Sequence, residues 1–142
     1  MTHPLWTTTV KIRFSHCDPA GIVYFAVHFD ILNGVTEDWF TDCLGIAYAD
    51  LIARRRVGVG YAHASADFRQ PARMGDRIAY AVHVERIGTT SLPLRIVATR
   101  DGAEILTASL VIVATDLVRG GVIPLPDDLR AAATAYHERG MP

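Results

Sequence analysis

The sequence predicts an α+β fold in which an antiparallel five-stranded sheet wraps around one long central helix, with a short helix near the C-terminus. Half of the 142 residues are apolar, so the chain can bury a core of its own. Apolar residues recur at helical spacing over one long stretch, whereas five other stretches show the alternating or continuous apolar pattern of strands. No linker or internal repeat interrupts the chain. Residues 1–142 are therefore expected to form a single domain.

The N-terminal part of the chain predicts a strand, a turn and then the long helix. Apolar and polar side chains alternate over residues 7–15, and Pro-Ala-Gly at 19–21 ends that strand with a turn. From about residue 25 to residue 44, apolar residues recur in steps of three and four, which predicts a helix. Its apolar face is so broad that the sheet or a partner chain must cover it. Gly34, in its middle, lowers helix stability but would let another backbone approach closely.

The rest of the chain predicts four consecutive strands and a short final helix. Apolar stretches separated by Gly, Pro and Asp turns place the strands at residues 57–69, 78–87, 92–100 and 103–117. We expect these strands to form an antiparallel meander. The final helix is expected at residues 129–139, with Asp127 or Asp128 as its N-cap.

Composition and charge argue against several functional classes. The formal net charge is -1, whereas nucleic-acid binding usually needs an excess of basic residues. No apolar stretch approaches the roughly 20 residues that a membrane span requires, and the N-terminus lacks the pattern of a signal peptide. We therefore expect a cytoplasmic protein with no nucleic-acid or membrane partner. Cys17 and Cys43 make no disulfide framework, and no histidine spacing typical of metal ligands occurs, so no metal is expected.

Two segments of the chain resemble a known enzyme family. CDPAGIVYF (17–25), followed by the helix HFDILNGVTEDWF (28–40), is similar to the signature of the 4-hydroxybenzoyl-CoA thioesterase family, which has the hotdog fold. PARMGDRI (71–78) resembles the family's Pro-x-x-x-Gly-Asp turn between its second and third strands. The resemblance covers nearly the whole chain and implies a hotdog thioesterase that acts on an acyl-CoA, with no cofactor beyond the coenzyme A of the substrate. It places Asp18 at the position of the family's catalytic carboxylate.

Asp18 suits the chemistry of thioester hydrolysis. A thioester carbonyl needs a nucleophile or an activated water molecule. Asp18 can attack the carbonyl directly to give a mixed anhydride, or it can act as a general base on water, and the sequence leaves both routes open. The alternative is that Asp18 only caps the turn before Pro19, as Asp often does. The surrounding motif favours the catalytic role.

The start of the long helix supplies candidate donors for the oxyanion. The first four N–H groups of a helix have no partner within the helix, and the helix dipole favours negative charge there. Residues 22–26 contain no Ser, Thr, Asp or Asn that would cap these groups. The missing cap suggests a site left open for a substrate oxygen. Tyr24, Phe25 and Ala26 are the candidate donors, and Phe25 matches the family's position best.

Two further side chains are candidates for catalysis. His16, two residues before Asp18, has a pKa suited to protonating the thiolate leaving group, or it could orient the carboxylate. The alternative is an exposed histidine at a strand end. Glu37 lies on the long helix, where related branches of the family place a catalytic Glu, and its alternative is a solvated helix face. Cys17 is expected to be packed rather than nucleophilic.

Four residues are candidates for substrate binding. Asn33 aligns with an Asp that in the family faces the aromatic hydroxyl of the substrate, so an uncharged side chain here also fits an unsubstituted benzoyl or another acyl group. Ala26 stands where the family has Pro, a change that would reshape the pocket mouth. Arg69 and Arg73 flank the turn at Pro71 and carry the forked donors that suit the phosphates of coenzyme A. The alternative is that both are solvated surface charges.

The sequence thus predicts a hydrolase, an acyl-CoA thioesterase for a small aromatic acyl group of the benzoyl or hydroxybenzoyl type. A thioesterase for short-chain aliphatic acyl-CoA or acyl-carrier protein, and a non-catalytic acyl-thioester binding module, remain as alternatives. Enoyl hydration is disfavoured because His28 lies ten rather than five residues after Asp18. Open sheet edges and the broad helix face predict a homodimer or a dimer-of-dimers tetramer, with coenzyme A at the subunit boundary as in the proteins it resembles.

Overall fold

The computed structural model describes residues 5–140 of the chain. These described residues form five strands, three α-helices, a 3₁₀ turn and a π-helical turn. In chain order these elements are β1 (Thr7–Lys11), the 3₁₀ turn (Phe14–His16), α1 (Phe25–Asp38), the π-helical turn (Trp39–Cys43), α2 (Tyr48–Ala53), β2 (Val57–Phe68), β3 (Arg77–Val84), β4 (Ser91–Arg100), β5 (Ala103–Asp116) and α3 (Asp127–Arg139).

The five strands form one antiparallel sheet in the order β1-β3-β4-β5-β2. Strands β3, β4 and β5 form the expected meander, but the expectation that β2 also lies beside β3 is wrong. Instead β2 pairs with β5 along its length, from Val57 opposite Asp116 to Phe68 opposite Leu106. Residues 69–76 can extend over about 26 Å, whereas the three strand spacings from β2 to β3 add up to about 14 Å. The connection is therefore long enough to cross the sheet.

The core lies between the inner face of the sheet and α1. On β3 every second residue is buried, including Ile78, Tyr80 and Val82, and the alternation holds along β4 from residue 94 and along β5 from residue 106. The helices α1 and α3 contribute His28, Ile31, Leu32, Val35, Thr36, Leu129, Ala133 and Tyr136. The predicted arrangement of a sheet wrapped around a central helix is confirmed.

The central helix differs from its prediction at the C-terminal end. The α-helical part ends at Asp38, and the next five residues form the π-helical turn, in which the N–H of Leu44 donates to the carbonyl of Trp39 at 3.0 Å. Trp39 and Phe40 are both fully buried there, although they are adjacent in sequence. The six-residue α2 was not predicted, because only Leu51 of it is buried and no periodicity can show in so short a segment.

Candidate active site

Two loops that carry the sequence motifs lie side by side. They are the Asp18 loop (residues 17–24) and the motif turn (residues 71–76). A backbone bridge pairs Ile22 with Arg73, and two further backbone hydrogen bonds of 2.8 and 3.1 Å join the loops on either side of it. The motif turn thus holds the backbone of the Asp18 loop in place.

The motif turn is itself braced by an ion pair. The carboxylate of Asp76 accepts hydrogen bonds from the backbone N–H of Arg73 at 2.8 Å and from the guanidinium of Arg100 at 2.6 Å. Arg100 also donates to the carbonyl of Pro71 and to the side-chain oxygen of Gln70. The Arg73 N–H, followed by the Arg100 guanidinium, lowers the pKa of Asp76. The sequence did not indicate Arg100, because it lies on β4, far from the turn along the chain.

Asp18 is half-buried, and its two carboxylate oxygens differ in their hydrogen bonding. Its Oδ1 accepts a hydrogen bond from the backbone N–H of Ala20 at 2.9 Å, which is the turn-capping role weighed above. Within residues 5–140 no group donates to Oδ2. The backbone N–H of Asp18 donates to the carbonyl of Ile22 at 3.0 Å. One carboxylate oxygen is thus oriented by the turn while the other is available for chemistry.

The N-terminus of α1 is uncapped, as the sequence predicts. Tyr24 occupies the N-cap position and makes no side-chain hydrogen bond to the helix. The N–H of Tyr24, one of the three predicted oxyanion donors, already donates to the carbonyl of His16 at 3.1 Å, which makes Tyr24 the weakest of the three candidates. Within residues 5–140, the N–H groups of Phe25 and Ala26 have no acceptor. These two N–H groups remain as the candidate donors.

An apolar cavity of about 290 Å³ opens beside this helix end. Ile22 and Val23 of the Asp18 loop, Phe25 and His28 of α1, and residues 68–71 line it. The cavity therefore brings the first turn of α1 against the end of β2 and the start of the motif turn. Asp18 does not line the cavity directly, but its backbone is hydrogen-bonded to Ile22, which does.

His28 lines the cavity, a place that the sequence alone did not indicate. Its side chain is 4% exposed, its ring lies 5.2 Å from that of Phe68, and burial lowers its pKa. The sequence does contain one indication that His28 lies near the start of the helix. His28 lies three residues after Phe25 and hence on the same face of the helix.

The other residues predicted for this end of the fold lie around the cavity. His16 is half-buried, and its Nδ1 accepts a hydrogen bond from the backbone N–H of Arg13 at 2.9 Å, so its neutral ring carries the proton on Nε2. Arg69 lines the cavity and pairs with Glu104 at 3.1 Å. Arg73 is exposed on the motif turn, next to the Asp18 loop.

The structure does not bring Asn33 and Glu37 to this cavity. Along α1 they lie about 12 Å and about 18 Å beyond Phe25, since an α-helix rises 1.5 Å per residue. Asn33 accepts a hydrogen bond from the hydroxyl of Tyr61 at 2.8 Å. Glu37 lies near enough to Tyr61 for its charge to add to the effect of burial in raising the pKa of that phenol. Within one chain, therefore, neither residue lies beside Phe25 at the cavity.

Two features are absent from the described part of the chain, residues 5–140. No group of three or more His, Cys, Asp and Glu side chains is arranged there to hold a metal ion. No helix in that range is long and apolar enough to cross a membrane.

A five-stranded antiparallel sheet wrapped around a helix with an open N-terminus beside a cavity is the arrangement of a hotdog-fold enzyme. The family model of the thioesterase-like superfamily matches residues 12–133, and the chain belongs to this superfamily. The predicted enzyme class, a thioester hydrolase, is confirmed at this level. The comparisons support the superfamily as a whole rather than the 4-hydroxybenzoyl-CoA thioesterases in particular.

Relatives and solved structures show which members of the superfamily this chain is similar to. It is 28% identical over 126 residues to a 1,4-dihydroxy-2-naphthoyl-CoA hydrolase of Nostoc punctiforme. This match covers 87% of this chain and 83% of the relative. A gentisyl-coenzyme A thioesterase superposes with a TM-score of 0.83 at 20% identity. The superposition covers 90% of this chain and 99% of that chain. A 1,4-dihydroxy-2-naphthoyl-CoA thioesterase from Synechocystis superposes with a TM-score of 0.82 at 20% identity. The superposition covers 92% of this chain and 96% of that chain. At these identities the two structures show a shared fold.

Proposed function

We propose that this protein hydrolyses the thioester of a small aromatic acyl-CoA at the N-terminus of α1. The observation that carries the proposal is the pair of N–H groups of Phe25 and Ala26, which lack acceptors within residues 5–140 and adjoin an apolar cavity and the Asp18 loop. Such an arrangement fits an oxyanion hole, because donors fixed in a partly dry site stabilise the charge that develops on the carbonyl oxygen. Membership of the thioesterase-like superfamily supports the same reaction.

The reaction proceeds by one of two routes, both of which use Asp18. As nucleophile, its carboxylate attacks the carbonyl carbon, the C–S bond breaks to release the thiolate, and water then hydrolyses the mixed anhydride. As general base, it takes a proton from water, whose oxygen attacks the carbonyl carbon directly. The tetrahedral intermediate then breaks its C–S bond, and the proton held by Asp18 passes to the thiolate. In either route the N–H groups of Phe25 and Ala26 bind the oxyanion, and the Nε2–H of the neutral His16 ring can donate a hydrogen bond to the departing thiolate, whose proton comes ultimately from the attacking water. The products are a carboxylic acid and free coenzyme A.

The cavity supports an aromatic acyl group. Cavities of about 150 Å³ hold benzene, so about 290 Å³ accommodates one or two fused rings. The side chains of Phe25, His28 and Phe68 offer ring faces and edges to a planar group. The related hydrolases named above act on dihydroxynaphthoyl- and gentisyl-coenzyme A, which are aromatic thioesters of this size.

Coenzyme A enters as part of the substrate, and we propose no separate cofactor. Arg73 is exposed on the motif turn and Arg69 stands at the cavity wall, so both can reach phosphates at the mouth of the site. Arg73 is the stronger candidate, because the guanidinium of Arg69 already pairs with Glu104. Forked N–H donors suit phosphate oxygens.

We also propose that the protein works as a homodimer or a dimer of dimers. β2 is a twelve-residue edge strand, and its residues 60–65 are exposed in the single chain. A long unpaired edge favours pairing with a second copy. Only a site shared between subunits would allow Asn33 or Glu37 to approach the thioester that Phe25 binds.

The test is a panel of acyl-CoA thioesters, aromatic and aliphatic, assayed by release of free thiol. We expect turnover of aromatic thioesters by the wild-type protein and a loss of at least about 100-fold in kcat for Asp18→Asn. The amide oxygen of Asn can still accept the Ala20 N–H, so the turn and the fold are retained.

Asp42→Asn, at an exposed position on the π-helical turn, is the matched control and is expected to keep full activity. Wild-type turnover of aliphatic thioesters only would favour the aliphatic alternative. An Asp18→Asn variant with unchanged turnover would rule out the role of Asp18, and thioester binding without hydrolysis would favour a binding module.

A further inference from the structure

One buried polar atom at the cavity has no partner in the chain. Within residues 5–140, two buried side-chain nitrogens make no hydrogen bond, Nδ1 of His28 and Nε1 of Trp39. Trp39 is fully buried in the core against the ring of Tyr136. His28, by contrast, lines the cavity beside the helix N-terminus. Nδ1 itself is too deeply buried for a ligand to reach, but Nε2 of the same ring also makes no hydrogen bond within residues 5–140 and is not among the buried nitrogens. Folded proteins rarely leave a polar group of a buried side chain unpaired, so a partner in the cavity is expected at Nε2 of His28.

The position of His28 limits which part of a substrate it can reach. Residues three apart lie on the same helix face, and helical side chains lean toward the N-terminus, so the imidazole of His28 lies over the turn that begins with Phe25. A carbonyl oxygen bound by the N–H groups of Phe25 and Ala26 therefore lies close to this imidazole. The substrate atoms that His28 can contact are those next to the carbonyl carbon, whereas the far side of the ring is out of reach.

The chemistry of His28 fits a hydroxyl partner. Burial keeps its imidazole neutral, so that one ring nitrogen donates a hydrogen bond and the other accepts one. A phenolic hydroxyl can also donate or accept, so either tautomer has a match. The ring of Phe68, whose centroid lies 5.2 Å from that of the imidazole, restricts the movement of the imidazole.

We propose that His28 hydrogen-bonds a hydroxyl group on the acyl ring ortho to the thioester carbonyl, and that the site thereby selects 2-hydroxyaryl thioesters. This inference rests on the proposed function and narrows its substrate class. The 1,4-dihydroxy-2-naphthoyl group, the substrate of one relative, carries a hydroxyl at this position. His28 acts here as a specificity residue and takes no part in breaking the C–S bond.

The test compares two isomeric substrates, 2-hydroxybenzoyl-CoA and 4-hydroxybenzoyl-CoA, and uses the ratio of their kcat/KM values. In the wild-type protein the ratio is expected to favour the 2-hydroxy isomer. In His28→Leu it is expected to fall about tenfold, as loss of one hydrogen bond to a substrate hydroxyl would cause. His28→Gln, whose side-chain amide can reach the place of Nε2, is expected to restore part of the preference for the 2-hydroxy isomer.

A merely structural role for His28 lowers both kcat/KM values together and leaves the ratio unchanged, and that result overturns the inference. If the wild-type protein hydrolyses neither isomer nor any other aryl thioester, the proposed function itself fails. The two failures are therefore distinguishable.

A measurement on the wild-type protein covers the case in which the variants fail to fold. The ¹⁵N resonances of the His28 ring are followed while 2-hydroxyphenacyl-CoA or 4-hydroxyphenacyl-CoA, thioether analogues that cannot be hydrolysed, is added. A larger shift with the 2-hydroxy analogue supports the inference. Equal shifts overturn it.

Discussion

The backbone N–H of Phe25 is the single group whose removal tests the site most directly. Proline at the first position of a helix is well tolerated, because the missing N–H has no partner within the helix there. Tyr24 has φ −63° and ψ 130°, in the extended region that a residue before proline prefers. Phe25→Pro therefore removes one oxyanion donor while α1 is retained. We expect kcat to fall about 100- to 1000-fold, measured by thiol release.

Phe25→Ala is the matched control for this prediction. It also removes the ring, which is 60% exposed, but it keeps the N–H. We expect the alanine variant to retain most of its kcat, with an effect mainly on KM, since the ring lines the cavity. If the proline and alanine variants have the same kcat, the Phe25 N–H is not an oxyanion donor.

At the scale of elements, the motif turn has a pH-dependent brace. The pKa of Asp76 is lowered by the Arg73 N–H and then by Arg100. A carboxyl whose pKa is lower in the folded state stabilises the fold above its unfolded pKa of about 4, and that contribution is lost as the pH falls through the folded-state value. The free energy of unfolding should therefore fall more steeply between about pH 5 and pH 3 in the wild-type protein than in Asp76→Asn.

Urea unfolding at several pH values measures this difference. The other carboxyl groups titrate in both proteins, so the difference between the two curves isolates Asp76. Asp42→Asn, which changes an exposed carboxyl on the π-helical turn, should follow the wild-type curve. Parallel curves for the wild-type protein and Asp76→Asn would mean that the brace contributes no pH-dependent stability.

The helix α1 carries a second prediction, at Gly34. Among residues 5–140, a Cβ atom built at this position meets no atom within 4 Å, so the close approach of another backbone suggested by the sequence does not occur in that part of the chain. Alanine is favoured over glycine in a helix interior by about 1 kcal/mol. We therefore expect Gly34→Ala to raise the free energy of unfolding by about this amount, measured by urea unfolding.

A partner chain packed on Gly34 would reverse that result. In that case Gly34→Ala would lower the midpoint of unfolding and weaken association, which light scattering of the variant would detect as a lower molar mass. The stability and mass of one variant thus distinguish a solvent-facing glycine from an interface glycine.

At the scale of the whole molecule, the exposed edge of β2 predicts association. Light scattering should give a molar mass at least twice the 15.5 kDa of one chain. Amide hydrogen exchange should be slow on both edges of β2, since the N–H groups that do not pair with β5 would pair with a second copy. A protein that is fully active as a monomer, with rapid exchange along the outer edge of β2, would contradict a site shared between subunits.

The sequence by itself determined the α+β class, the five strands and the central helix, because hydrophobic periodicity is a local property. It also located Asp18 and the uncapped start of α1, since both depend on residues adjacent in the chain. Its errors lie where local patterns compete or are too short, as in the π-helical turn after Asp38 and the six-residue α2.

Only the tertiary structure decided which of these groups meet. The pairing of β2 with β5, the occupation of the Tyr24 N–H by His16, the brace from Arg100 and the place of His28 in the cavity all depend on packing that no local pattern encodes. The separation of Asn33 and Glu37 from Phe25, by contrast, follows from the rise of an α-helix alone. A pattern specifies which face of an element is buried, but the neighbour on that face is chosen by the free energy of packing the whole chain.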